Sequence, residues 1–422
     1  MTAPAPDLDS YRERARAWLA ENLEPRDPSA RPRVHGRDHK TREMFEPERA
    51  LQRRLFDAGY AGITWPVEYG GQGLTPEYEV TFAREARQYR TPEFGAAAGT
   101  TFNVCGRTML AHASPEFLAL HVPRMLAGEE LWVQFFSEPG AGSDLAGVTS
   151  RADRDGDRWI LNGAKVWTSA GHYADFGMCL ARTDWDVPKH RGLTWFAVDV
   201  TAPGVTVSPI RELNGAAEFS QEQFDDVVLT DADVIGTVND GWTVAQTMLI
   251  YERGGGVANA AMMPAPARRR FAPDLVDVAR RAGRLDDPHV RQLIAREHID
   301  EFAVGELRKR MGARMRIEGG ANAGLASYAK LGGGVTRARR VVTAMEIGRA
   351  RTLTWAPGDR DGETPALAFL NGRLGCIAGG TNEIQRNGIG ERVLGLPREP
   401  SFDTTRPFRE VVQEAAKWTG RS

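Results

Sequence analysis

Only three cysteines occur in the 422 residues, at positions 105, 179 and 376. Set so far apart, Cys105, Cys179 and Cys376 offer no metal-binding or redox spacing and no disulfide framework, and a reducing compartment suits them. The sequence also lacks HExxH, CxxC, a P-loop and any dinucleotide fingerprint behind a predicted strand, so no metal site is expected. No run approaches the ~18 apolar residues of a membrane span. The first stretch, MTAPAPDLDSYRERARAW, has no apolar core of a signal peptide, so a cytoplasmic protein without a membrane partner is expected. Lysine is scarce: six residues, at 40, 165, 189, 309, 330 and 417, against 48 arginines. With a net charge of −2, that bias reads as genome composition and excludes a nucleic-acid footprint. The run Arg268 to Arg270, between prolines, reads as a solvated loop.

What remains is ordinary globular composition, 41% hydrophobic and 26% charged, in a length that suggests two or three domains. Leu8 to Leu23 carries Leu8, Tyr11, Ala15, Trp18 and Leu19 on one helical stripe. Residues 47–60 and 76–90 read as helices around the glycine-rich turn WPVEYGGQGL. From about Leu131 the texture changes to short β-rich runs, RWILNG, AKVWTSA, FGMCLART, LTWFAVDV, GVTVSPI and EQFDDVVLTD, separated by turn residues. After Gly241 the helical period returns at Trp242–Tyr251. A further helix is opened by Asp287 as N-cap and Pro288 at its first position, and another spans 324–350. The glycine runs 254–256 and 332–334 fall in helical texture and read as close packing or helix breaks. The fold class is therefore α+β, mainly α: a helical domain at 1–128, a small β-barrel or sandwich at 129–241 and a helical bundle at 242–422.

Three separated segments carry the chemistry: QFFSEPGAGSD at 134–144, NGAKVWTSA at 162–170 and GGTNEIQRN at 379–387. The first combines small residues that admit close backbone approach with hydroxyls at Ser137 and Ser143, as a flat cofactor and a thioester require. Alone it reads equally as a turn between helix and strand. Trp167 alone reads as a core tryptophan, although a flat aromatic wall also suits a flat cofactor.

In this order, and with helices flanking strands, the segments resemble the acyl-CoA dehydrogenase family over essentially the whole chain. The resemblance implies FAD, with Gln134, Phe136 and Ser137 lining the isoalloxazine and Trp167 flanking it. It further implies Ser169 near flavin N5, Thr381 and Glu383 reaching the flavin, and Ser143 approaching the bound acyl-CoA. The implied reaction removes an α-proton from an acyl-CoA while the β-hydride passes to N5, giving the trans-2-enoyl-CoA. Electron-transfer flavoprotein is the implied acceptor.

Many members place the catalytic glutamate immediately before Gly-Thr in the third segment, where this chain has Gly379. A minority place it before an arginine on the helix that follows the strands, and here Glu252 precedes Arg253. Glu252 is thus the candidate base and Arg253 a candidate ligand contact. A base in an apolar pocket would have its pKa raised by desolvation. The Gly379 N–H remains able to serve an oxyanion. The family's Arg-x-x-Phe-Gly and Gly-Gly-x-Gly segments, which hold FAD across a subunit interface, have no counterpart in MMPAPARRRFAPDLVD and AMEIGRARTLTWAPG. This departure resembles actinobacterial relatives that act on bulky acyl-CoA esters, some assembled from two different subunits. It leaves a homo-oligomeric flavoenzyme, one subunit of a hetero-oligomer with a related partner, or a flavin oxidase or oxygenase of the same fold.

Overall fold

The computed structural model describes residues 5–27, 40–252, 273–317 and 323–418. Arg253, the glycine run 254–256 and the arginines 268–270 lie outside the described residues.

The first layer is helical. Helix α1 (Leu8–Asn22) starts at Asp7, whose carboxylate accepts from Ser10 N–H at 3.1 Å, and it buries Tyr11, Ala15 and Leu19 at four-residue spacing. These pack with Leu51 and Leu55 of α2 (Glu46–Asp57) and Phe82 of α3 (Pro76–Ala86) in one apolar cluster. Helix α4 (Ala96–Ala98) continues through a π-helical stretch, Gly99–Cys105, into α5 (Gly106–His112), and α6 (Pro115–Leu126) closes the layer. A π-stretch widens the turn and shifts side chains off the α-helical stripe. Here Thr101 Oγ1 is pinned to the backbone of Trp132, donating to its carbonyl at 3.0 Å and accepting from its N–H at 2.8 Å.

Eight strands follow: β1 (Trp132–Phe135), β2 (Arg151–Asp155), β3 (Arg158–Ser169), β4 (Phe176–Arg182), β5 (Leu193–Asp199), β6 (Val205–Ile210), β7 (Phe219–Thr230) and β8 (Val234–Ile235). They form one sheet in the order β6-β7-β3-β2-β4-β5-β8, and β1 adds to β4 in parallel. Strands β4 and β5 are buried almost residue by residue, as expected where both faces are covered. RWILNG and AKVWTSA, which read as two strands, are the single long β3, broken by register shifts between Leu161/Gly163 and Val166/Thr168. Polar bulge residues mimic a turn in the sequence. Strands β1 and β2 are too short and irregular in pattern to be read beforehand.

The chain then returns to helices: α7 (Gly241–Glu252), α8 (Leu275–Arg281), α9 (Pro288–Ile317), α10 (Ala323–Gly348), α11 (Arg360–Asn371), α12 (Leu374–Ile377), α13 (Asn382–Arg392) and α14 (Phe408–Trp418). Asp287 caps α9 by accepting from His289 N–H at 2.9 Å. Gly332 to Gly334 lie within α10 without breaking it. A Cβ on Gly334 would come within 2.8 Å of the Gly375 carbonyl and 2.6 Å of Asn382, so this glycine lets α10 seat against α12 and α13. No helix among the described residues is long and apolar enough to cross a membrane.

Candidate active site

Strand β3 builds the first wall. At its second bulge Val166 pairs with Gln221 and Thr168 with Ser220, so Trp167 has no partner residue across the ladder. Its φ of +67° is costly for a bulky side chain. The result is an indole standing 59% exposed at the end of a sheet whose other large tryptophans are buried. Thr168 turns inward and donates to Glu222 at 2.7 Å. Val166 N–H donates to the Ser137 carbonyl at 2.9 Å, which ties QFFS to the same strand end. Beneath both segments lies Lys165, fully buried, donating to the Phe136 carbonyl at 3.1 Å and to Glu138 at 2.8 Å. Glu138 in turn accepts from the backbone N–H groups of Thr149 and Ser150, and Lys165 with these bonds holds its pKa low against burial.

Glu222 is different. Its Oε1 has no hydrogen-bond partner among the described residues, and burial pushes its pKa up to about 8. Gln134 likewise has a buried Oε1 without a partner among the described residues. Phe136 is buried edge-on against Trp195, with ring centroids 4.9 Å apart.

The second part is a cavity of about 520 Å³, a typical size for a small-molecule site. Ser169, Tyr251 and Glu252 line it together with residues of α2, α3, the π-helical stretch and the connecting loops, including Leu55, Ile63, Phe82 and Phe102. The wide turn of the π-stretch brings Thr100, Phe102, Asn103 and Val104 to the cavity together. Glu252 ends α7. Its Oε1 lies 3.8 Å from where a Cβ on Gly379 would be, and Lys330 Cε lies 3.4 Å from the same point. Positions 252 and 379 thus converge on one place, and of the two only 252 has a side chain. Lys330 donates to the Gly375 carbonyl at 2.8 Å.

Gly379 and Gly380 have φ of +68° and +88°, a left-handed pair that glycine adopts without strain. Gln385 fixes this turn by donating to both of their carbonyls, at 3.1 and 3.2 Å. Thr381 caps α13, its hydroxyl accepting from Ile384 N–H at 3.2 Å. Glu383 projects from the first turn of α13 and pairs with Arg386 at 3.2 Å on the exposed side. Ser143 is exposed on the loop before β2, away from the cavity-lining residues, and Arg253 lies outside the described residues. Among the described residues no group of three or more metal-ligating side chains could hold a metal ion.

The structure therefore places Glu252 and Ser169 on one cavity, with Gly379 beside Glu252, and ties Phe136 and Ser137 to the strand end that carries Trp167, with Gln134 just before them on β1. Sequence reasoning passed over Tyr251, Lys165, Lys330 and the whole cavity-lining surface of the first helical layer. Lysine scarcity held the signal for two of them: in a chain that uses arginine almost everywhere, Lys40, Lys165, Lys189 and Lys330 each make a specific bond to a carboxylate or a backbone carbonyl.

The residues fit a flavin. A large exposed indole on a strained bulge and a buried amide oxygen without a partner among the described residues present the apolar face and the acceptor that a flat ring with N–H donors would use.

Family models match the chain in three parts: the acyl-CoA dehydrogenase N-terminal domain at residues 5–129, the middle domain at 134–227 and the C-terminal domain at 239–394. Acyl-CoA dehydrogenase IpdE1 of Mycobacterium tuberculosis is 38% identical over 397 residues, covering 93% of this chain and 99% of its own. A solved structure described as the Tcur3481-Tcur3483 steroid ACAD superposes with a TM-score of 0.72 at 29% identity, covering 94% of this chain and 100% of its own. The ChsE4-ChsE5 complex from Mycobacterium tuberculosis gives 0.67 at 26%, with the same coverage. Helical, β and helical layers in this order are the fold of that family, whose members are flavoproteins that oxidise CH–CH bonds, and this chain belongs to the acyl-CoA dehydrogenase family.

Proposed function

We propose that this chain is the base-bearing subunit of an FAD-dependent acyl-CoA dehydrogenase for bulky acyl groups, with its FAD site completed by a non-identical partner. The observation that carries the reading is Glu252, a carboxylate on the cavity wall set 3.8 Å from the would-be Cβ of Gly379. Glu252 takes the α-proton of the thioester, and the Gly379 N–H steadies the oxygen on which negative charge develops. FAD would supply the hydride-accepting chemistry for the β-carbon. Trp167, Gln134, Phe136 and Ser137 would hold its ring, Ser169 would serve its reactive nitrogen, and Thr381 and Glu383 would reach the ring from α13. Ser143 and Arg253 serve the CoA ester. The apolar lining excludes water from the proton transfer, and the small residues Ala61, Gly62, Ala83, Ala86, Ala96 and Ala98 leave room for a ring-sized acyl group.

The unlike partner is favoured by two observations. The glycine- and arginine-rich segments that complete FAD binding between like subunits are missing, and two of the superposing structures are named for paired gene products. A homo-oligomer is the second reading, resting on a ring wall that is assembled within one chain. Electron-transfer flavoprotein is the proposed electron acceptor. The test is expression of the chain alone and with a second dehydrogenase-like subunit encoded nearby, followed by the visible spectrum and anaerobic titration with acyl-CoA esters of graded bulk. Stoichiometric flavin bleached by a bulky ester, only in the paired preparation, is expected. A yellow, active enzyme from the chain alone would replace the partner by self-assembly, and a flavin that no acyl-CoA reduces would overturn the dehydrogenase reading.

A further inference from the structure

Residues beyond 394 fall outside the match to the C-terminal domain, yet they return to the β-domain and meet the loop that carries Ser143. Lys189, whose side chain is only 8% exposed, is held between two carboxylates. It donates to both oxygens of Asp144 at 2.9 and 3.0 Å and to Asp403 at 2.6 Å. Asp144 is the residue after Ser143. Burial alone would lower the Lys189 pKa, but the bonds to Asp403 and Asp144 hold it above its usual value.

A second clamp lies beneath the same loop. Arg182 is fully buried and spends its donors on carbonyls: Ala146 at 2.6 Å, Val148 at 3.2 Å and Lys189 at 3.2 Å. Its guanidinium lies 3.8 Å from the ring centre of Phe408, which is itself buried and stacked on Trp185. The π-face thus takes up part of the buried charge. Backbone bonds from Phe408 N–H to Val187 and from Arg409 N–H to Trp185, each 2.9 Å, dock the start of α14 in register, and Arg409 pairs with Asp186 at 2.7 Å. The loop after Glu138 is thus held from both sides by groups far away in sequence.

We infer that segment 401–418 is a strap that fixes the Ser143–Asp144 loop for the CoA moiety of the substrate, with Lys189 and Asp403 as its positioning residues. This rests on the proposed role of Ser143 as a CoA contact. Ser143 is exposed and is not among the cavity-lining residues, so the strap acts on the part of the ester outside the acyl cavity. A buried ammonium that bridges two carboxylates sets their spacing, and losing one carboxylate lets the other relax.

The experiment compares the flavin-loaded enzyme and its Asp403→Asn variant on one acyl group offered as the CoA ester and as the N-acetylcysteamine thioester, which lacks the nucleotide and most of the pantetheine. The expected result is a roughly tenfold higher KM for the CoA ester with kcat retained, no change for the small thioester, and recovery in Asp403→Glu. Deleting the strap after Leu396 should give the same pattern, with flavin content and melting temperature measured alongside. An unchanged KM for the CoA ester in Asp403→Asn overturns the inference. So does an equal loss on both thioesters, which marks the strap as structural support only. Failure of the dehydrogenase reading is seen separately, as a wild-type flavin that neither thioester reduces.

Discussion

At the scale of single residues, two side chains stand where their surroundings make them costly. Trp167 combines a positive φ with an exposed indole, a conformation that costs on the order of 1–3 kcal/mol and is met in this chain only by an edge contact with Phe219 among the described rings. A flat ring lying against the indole would offset that cost. Trp167→Ala should therefore release flavin without lowering the stability of the flavin-free protein, as measured by the flavin absorbance retained after gel filtration and by the apoprotein melting temperature. Glu222 is buried with a pKa of about 8, well above its unfolded value. The folded state binds the extra proton between these two pKa values, so its contribution is favourable below the unfolded value and is lost as pH rises toward about 8. Glu222→Gln should flatten that decline, raising the melting temperature in mildly alkaline buffer relative to wild type while changing it little in acid. A melting curve with the same pH slope in both proteins would mean that Glu222 is charged in the fold. Glu252, the proposed base, is singled out in the sequence because position 379 is vacant.

The element that matters most is the end of β3, where the bulge, Lys165 and Glu138 act together. Removing one member of a buried ion pair leaves the other charge uncompensated, at a cost of about 3–5 kcal/mol. Lys165→Met should thus sharply lower stability and loosen QFFS, and adding Glu138→Gln should recover a large part of the loss. Thermal melts of the two single variants and the double variant check this, since additive losses would show that the pair is not coupled. The motif KVWTSA was readable, but its geometry was not, because the residue inserted at a bulge interrupts the alternation in the same way as a turn between two strands. The π-helical stretch was hidden as well: Gly99–Cys105 reads as a mixed polar run, and only its contacts with Trp132 and the cavity reveal the wider turn. Asp287 and Pro288, in contrast, declared the start of α9 through local capping chemistry that needs no tertiary context.

On the scale of the whole molecule, the order of helices, strands and helices was visible in the change of period near Leu131 and again after Gly241. The convergence of parts was not. Glu252 closes a cavity whose lining comes mostly from residues 52–104, and Gly379 approaches it from a turn that depends on α10 seating at Gly334. Such long-range meetings follow from packing and leave no local signal. The last layer exposes Ile299, Phe302, Leu374 and Ile377 on its helices and Leu394 and Leu396 just past α13, apolar surface of the kind that a subunit interface covers. These features meet at the proposed base, the Glu252 carboxylate beside the vacant position 379. The Gly379→Glu substitution would start a side chain in the same space, with its Cβ 3.8 Å from Glu252 Oε1, although φ of +68° strains any residue but glycine there. The most direct measurement is the anaerobic, stopped-flow rate of flavin bleaching by a substrate acyl-CoA in Glu252→Gln and in Glu252→Gln with Gly379→Glu. A loss of about 10²–10⁴-fold is expected in the single variant, with flavin and ligand binding kept, and partial recovery in the double variant. Bleaching at the wild-type rate in Glu252→Gln would contradict Glu252 as the base.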